Sequence, residues 1–77
     1  MINVTDELAV SHFQSGIKPA ADYIINKYQK RLLKFAKNRR EEEKINAALV
    51  ISLVTYNSEN DLSFKSYLRK NVRKALK

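Results

Sequence analysis

Phe64 to Lys77, FKSYLRKNVRKALK, holds six Lys or Arg residues and no acid. Wound as a helix, it places Phe64, Tyr67 or Leu68, Asn71 or Val72, and Ala75 on one stripe. Lys65, Arg69, Lys70, Arg73, Lys74 and Lys77 fall mostly on the other faces. A helix that docks by its apolar edge and leaves a cationic surface outward suits a polyanion. Upstream, Asn57 to Ser63 is a polar turn, and Ser63 or Asp61 can cap the helix that follows.

Before that turn, a helix is expected from about Arg40 to about Tyr56, with Glu41, Glu42 and Glu43 in its first turn, where the helix dipole favours negative charge. Ile45, Ala48, Leu49, Ser52, Leu53 and Tyr56 share one face, while Val50, Ile51 and Val54 lie outside it. Being apolar nearly all round, this helix is expected to be central, or to offer a second face to a partner. A further helix is expected from Pro19, well suited to a first helical position, to about Asn38. Its stripe is Ala21, Ile24, Ile25, Tyr28, Leu32, Phe35 and Ala36, and Tyr23, Tyr28 and Phe35 are expected in the core. Thr5 is the expected N-cap of a first helix that runs to about Gln14, with Asp6 and Glu7 in its first turn; Ser15-Gly16 then breaks the chain. The reading is an all-α fold, a small bundle of about four helices with no strand. Residues 1–77 form a single domain, with a short N-terminal helix in 1–16 and the remainder in 17–77.

Composition agrees with this. The 77 residues include one Gly and one Pro, poor material for turn-rich β architecture, and 44% are hydrophobic, enough for a small core. The absence of Cys excludes disulfides and thiolate zinc sites and fits a reducing, cytoplasmic compartment. No signal peptide is expected from the polar, acidic N-terminus, and the apolar run Ala47 to Val54 is too short to span a membrane. The net charge of +7 favours nucleic acid, an acidic protein or an anionic membrane. Lys27 to Arg40 adds a second acid-free segment with seven bases; Lys27, Lys30, Arg31 and Lys34 read as a solvated face with an auxiliary DNA or polymerase role open to them.

No enzyme is expected. His12 is the single His and reads as a packing or surface residue. Three consecutive Glu point in different directions on a helix, so a carboxylate metal site is not expected there. No Gly-rich phosphate loop is present. Neither a cofactor nor a metal is called for.

Several segments, in order and spacing, resemble region 2 of the bacterial sigma-70 family. Tyr56-Asn57 stands where that family ends a helix with an aromatic residue and Asp. Phe64-Lys65-Ser66-Tyr67 is similar to its Phe-x-Ser/Thr-Tyr element, and Val72-Arg73-Lys74-Ala75-Leu76 to its Ile-Arg-x-Ala-Ile run. Ala21 to Ala36 (ADYIINKYQKRLLKFA) looks like the preceding family helix, and the resemblance covers about Ile17 to Lys77. It departs at Arg40 to Lys44, where the family has an Asp-Leu-x-Gln-Glu type motif, and at Lys70 and Asn71, which replace two Trp of primary sigma factors that help separate the strands.

The resemblance implies a transcription-initiation subunit, a co-sigma. Arg40, Glu41, Glu42, Glu43 and Lys44 would dock on the β′ clamp of core RNA polymerase. Lys65, Arg69, Lys70, Arg73, Lys74 and Lys77 would meet promoter phosphates near the −10 element, and Tyr67 would stack on an extruded base. A separate sigma region-4 protein would complete promoter recognition. Two other functions stay open on the residues: a stand-alone DNA-binding regulator of phage or mobile-element type, and an adaptor or inhibitor whose basic last helix binds an acidic protein or a membrane surface.

Overall fold

The computed structural model describes residues 4–57 and 62–77. They form four helices, α1 (Val4–Gln14), α2 (Pro19–Leu33), α3 (Arg39–Thr55) and α4 (Phe64–Ala75), with no strand among the described residues. The all-α bundle expected from the periodicities is the observed architecture.

The helix at the N-terminus opens at Val4, so Thr5 is inside its first turn and not its cap; a cap-type residue marks a boundary only where the backbone turns. The C-terminus of α1 is closed by a Schellman motif. Gly16 takes φ +103°, a left-handed conformation open chiefly to glycine, its N–H donates to Phe13 O at 3.0 Å, and Ile17 N–H donates to His12 O at 2.9 Å.

Pro19 opens α2 as expected, but the helix ends at Leu33, not near Asn38. Asn38 is extended (φ −158°) and its side chain accepts from Glu41 N–H at 2.9 Å, which makes it the N-cap of α3. Glu41 reaches back to accept from Lys37 N–H at 2.8 Å. A reciprocal cap of this kind requires the chain to leave the helical path beforehand. Ala36 is half-buried, but Phe35 stands 68% exposed, not in the core. Tyr23 also leaves the expected core at 42% exposure, because it lies one residue, about 100° of arc, away from Ile24 on the buried line Ile24, Tyr28, Leu32.

All six residues of the expected inner face of α3 are buried. Ser52 among them donates to Ala48 O at 2.7 Å and accepts from Asn71 Nδ2 at 2.8 Å, which ties α3 to α4. Helix α3 contacts all three others, and so does α1. Val50, Ile51 and Val54 on its outer side are more than half exposed. Ser63 caps α4 by accepting from Ser66 N–H at 3.3 Å; Asp61, the other candidate, lies outside the described residues.

Helix α1 is fastened to each neighbour by a different polar side chain. Gln14 Nε2 donates to Leu53 O at 2.9 Å and Tyr56 O at 2.7 Å, satisfying carbonyls at the end of α3. Glu7 Oε1 accepts from Phe64 N–H at 3.1 Å, at the start of α4. Asp6, 1% exposed, accepts from Lys27 Nζ at 2.7 Å and from the Tyr28 hydroxyl, both on α2.

This acid node gives the fold a pH limit. The hydrogen bond from Lys27 to Asp6 holds the ammonium pKa above its ordinary value. Burial, then the hydrogen bond to Asp6, raises Tyr28, and burial raises Tyr56. Each group keeps its proton in the folded state after the unfolded chain has released it, so stability falls as pH rises. The contribution is complete below the ordinary values of 10.0 for Tyr and 10.5 for Lys and is lost above them. Denaturant titrations are expected to give a flat midpoint up to about pH 9.5 and a steep decline beyond it. In Tyr28→Phe the decline should be shallower; an unchanged decline would remove Tyr28 from this account.

Candidate nucleic-acid interface

The surface is built on α4. Phe64 (0% exposed), Leu68 and Val72 anchor its inner edge, spaced by four, and leave the remaining arc to solvent. The Phe64 ring meets Tyr28 edge-on with centroids 6.2 Å apart and Tyr56 perpendicularly at 5.5 Å, fixing the start of the helix against α2 and the end of α3. Lys65, Arg69, Lys70, Arg73, Lys74 and Lys77 are all exposed. Arg73 and Lys74 also sit in the last turn of α4, where cations complement the dipole.

These cations do not form one patch. Lys65, Arg69 and Arg73 line a trough of about 790 Å³ shared with the C-terminal half of α2. Lys74 lines a shallower cleft of about 340 Å³ on the opposite flank, between α4 and α3. Lys70 and Lys77 line neither. The second cleft also holds Lys44, so a residue from the expected polymerase set and one from the expected DNA set share a surface.

Tyr67 is half-buried on the α3 side. Its hydroxyl is 2.7 Å from Thr55 Oγ1, and its ring lies edge-on to Tyr56 with centroids 5.5 Å apart. Stacking on a base would have to break that hydrogen bond or use the ring's outer face. Asn71 is turned inward to Ser52, while Lys70 beside it is exposed.

At the other expected site, Arg40, Glu42, Glu43 and Lys44 are exposed at the start of α3. Glu41 is only partly exposed and is committed to the α2–α3 connection through Lys37 and Asn38. It is therefore a structural residue before it is a docking one.

Two basic residues at the C-terminal end of α2, Arg31 within it and Lys34 as its cap, join the surface. Arg31 and Lys34 line the α2–α4 trough opposite Lys65, Arg69 and Arg73, and Phe35 lines it too. The signal was present in their spacing by three around the buried Leu32. Lys27, by contrast, is held by Asp6, and its Nζ lies 5.7 Å from the Tyr23 ring centroid and 5.6 Å from that of Tyr28.

His12 is exposed. Among the described residues no three His, Asp or Glu side chains converge as a metal site would need, and no helix is long and apolar enough to cross a membrane. No protein-family model, curated protein or solved structure matches the chain.

Proposed function

We propose that this protein is a transcription-initiation subunit, a sigma region 2-like co-sigma that binds the β′ clamp of core RNA polymerase and the −10 region of the promoter, with a separate protein supplying region 4. The observation that carries the reading is the build of α4: a helix anchored at its N-terminal end by a buried Phe64, with six exposed cations and no acid between Phe64 and Lys77. The order of segments along the chain, from Ala21–Ala36 through Tyr56-Asn57 to Phe64–Tyr67 and Val72–Leu76, adds the family resemblance.

In this mechanism Lys65, Arg69, Lys70, Arg73, Lys74 and Lys77 neutralise phosphates. Such contacts give sequence-independent affinity whose logarithm falls with log salt at a slope of about −0.9 per phosphate on duplex and about −0.7 on single strand. Tyr67 supplies the aromatic face for an unpaired base, worth roughly 1–3 kcal/mol, at the expense of its contact with Thr55. Arg40, Glu42, Glu43 and Lys44 form the exposed polymerase contact at the start of α3, on a turn held rigid by the Asn38–Glu41 cap.

The test is retention of core RNA polymerase on the tagged protein, comparing wild type with Glu42→Arg/Glu43→Arg. Both side chains are exposed, so the variant should fold. Retention by wild type and loss in the variant are expected. A well-folded wild type that retains no polymerase would overturn the proposal.

A further inference from the structure

We infer that the trough between α2 and α4 is a docking site for an acidic amphipathic helix of a protein partner. The trough exists because these two helices do not pack on each other. No Cα of α2 comes within 8 Å of one in α4, while both lean on α1 and α3. Side chains alone bridge the gap, at the Tyr28–Phe64 ring contact. The space left open, about 790 Å³, is floored mainly by apolar groups, among them Leu32, Leu68 and Val72.

Two cationic rails flank that floor. On α4, Lys65, Arg69 and Arg73 recur every four residues, so they form one row along about 12 Å of helix. At the C-terminal end of α2, Arg31 and the capping residue Lys34 face them, and no acid among the described residues lines the trough. Phe35 adds a ring at the mouth, 68% exposed, where α2 has already ended.

The chemistry of the floor selects the ligand. A nucleic-acid strand would use the rails but gain little from a mostly aliphatic floor. Its bases want a series of exposed rings, and the trough offers one, Phe35, since Tyr28 is 5% exposed. A helix with an apolar ridge flanked by Glu or Asp uses both features: the ridge displaces water from the floor, and its carboxylates meet the rails. Two helical turns match the length of the α4 rail. A helix seated there covers Lys65, Arg69 and Arg73, so it competes with promoter phosphates for three of the six cations and leaves Lys70, Lys74 and Lys77 outward; the polymerase contact at the start of α3 lies outside the trough, and the inference does not depend on it.

The experiment uses the purified full chain and a fluorescein-labelled peptide of about four turns, with Leu spaced three and four apart and Glu on both flanks. Anisotropy at physiological salt is compared with a peptide of the same composition whose Leu positions are scrambled, and with a single-stranded oligothymidine. The patterned peptide is expected to bind and the scrambled one to bind far more weakly. Phe35→Ser, on an exposed residue that should leave the fold intact, is expected to weaken binding about tenfold, with a circular-dichroism melt confirming the fold. Equal binding of the two peptides, an unaffected Phe35→Ser, or no binding at all would overturn the inference. Displacement of the peptide by oligothymidine, with oligothymidine binding itself sensitive to Phe35→Ser, would reassign the trough to nucleic acid. No polymerase is present in the assay, so its failure would leave the co-sigma proposal untouched, and the converse holds.

Discussion

Phe64→Ala is expected to destabilise the protein by about 3–5 kcal/mol, the usual cost of emptying a fully buried aromatic site. The number matters because a small domain has a total stability near the low end of roughly 5–15 kcal/mol. Phe64 has no exposed surface and touches Tyr28 on α2 and Tyr56 at the end of α3, while its backbone N–H is held by Glu7 on α1. One residue thus joins all four helices, its ring meeting α2 and the end of α3 and its backbone meeting α1, and the cavity left behind would open between α2, α3 and α4. A thermal or urea melt should find the variant largely unfolded at 37 °C. A loss below about 1 kcal/mol would mean that the site collapses freely around alanine, and that Phe64 is not the organising residue described above.

Asp6→Ala is expected to lower stability by about 2–3 kcal/mol, since removing one partner of a buried charged hydrogen bond leaves the others desolvated and unmatched. Asp6 is 1% exposed and accepts from both Lys27 and Tyr28. Lys27 can recover water, its side chain being 31% exposed. Tyr28, at 5% exposure, cannot easily do so. Adding Tyr28→Phe to Asp6→Ala should therefore return part of the loss, because no hydroxyl is then left stranded. A double-mutant cycle measures this directly. Strict additivity of the two changes would show that the Tyr28 hydroxyl gains nothing from Asp6.

The features of the fold that rest on local periodicity were readable. The inner face of α3, the Phe64-Leu68-Val72 edge of α4 and the Pro19 start of α2 follow from spacing and capping chemistry. The stripe runs past the end of α2 because Phe35 and Ala36 follow Leu32 by three and four. The competing signal, Asn38 followed three residues later by Glu41, lay in plain sight and prevailed, since a satisfied cap is worth more than an extra apolar residue on a fraying turn. Tyr23 was misplaced by counting an aromatic near the stripe as part of it.

The partners of Asp6, Glu7 and Gln14 were not readable. Helix-dipole preference accounts for acids in a first turn, and nothing local says that one carboxylate will be buried against α2 and the next will hold the start of α4. The cationic surface was readable as composition but not as shape. Its division into a trough and a cleft depends on α2 and α4 standing apart, which is set by how both rest on α1 and α3.

The three polar fasteners of α1 bear on how the chain comes to be folded during synthesis. Helix α1 is secured late although it is made before the other three: Glu7 waits for Phe64, 57 positions later, and Gln14 for Tyr56, 42 positions later. Until α4 has emerged, Glu7 has only water to bind, although Asp6 can already hold α2 and Gln14 the end of α3, and the side of α3 that faces α4 lacks its cover. Closure of the four-helix bundle is therefore reached cooperatively once α4 arrives, and is not accumulated helix by helix from α1.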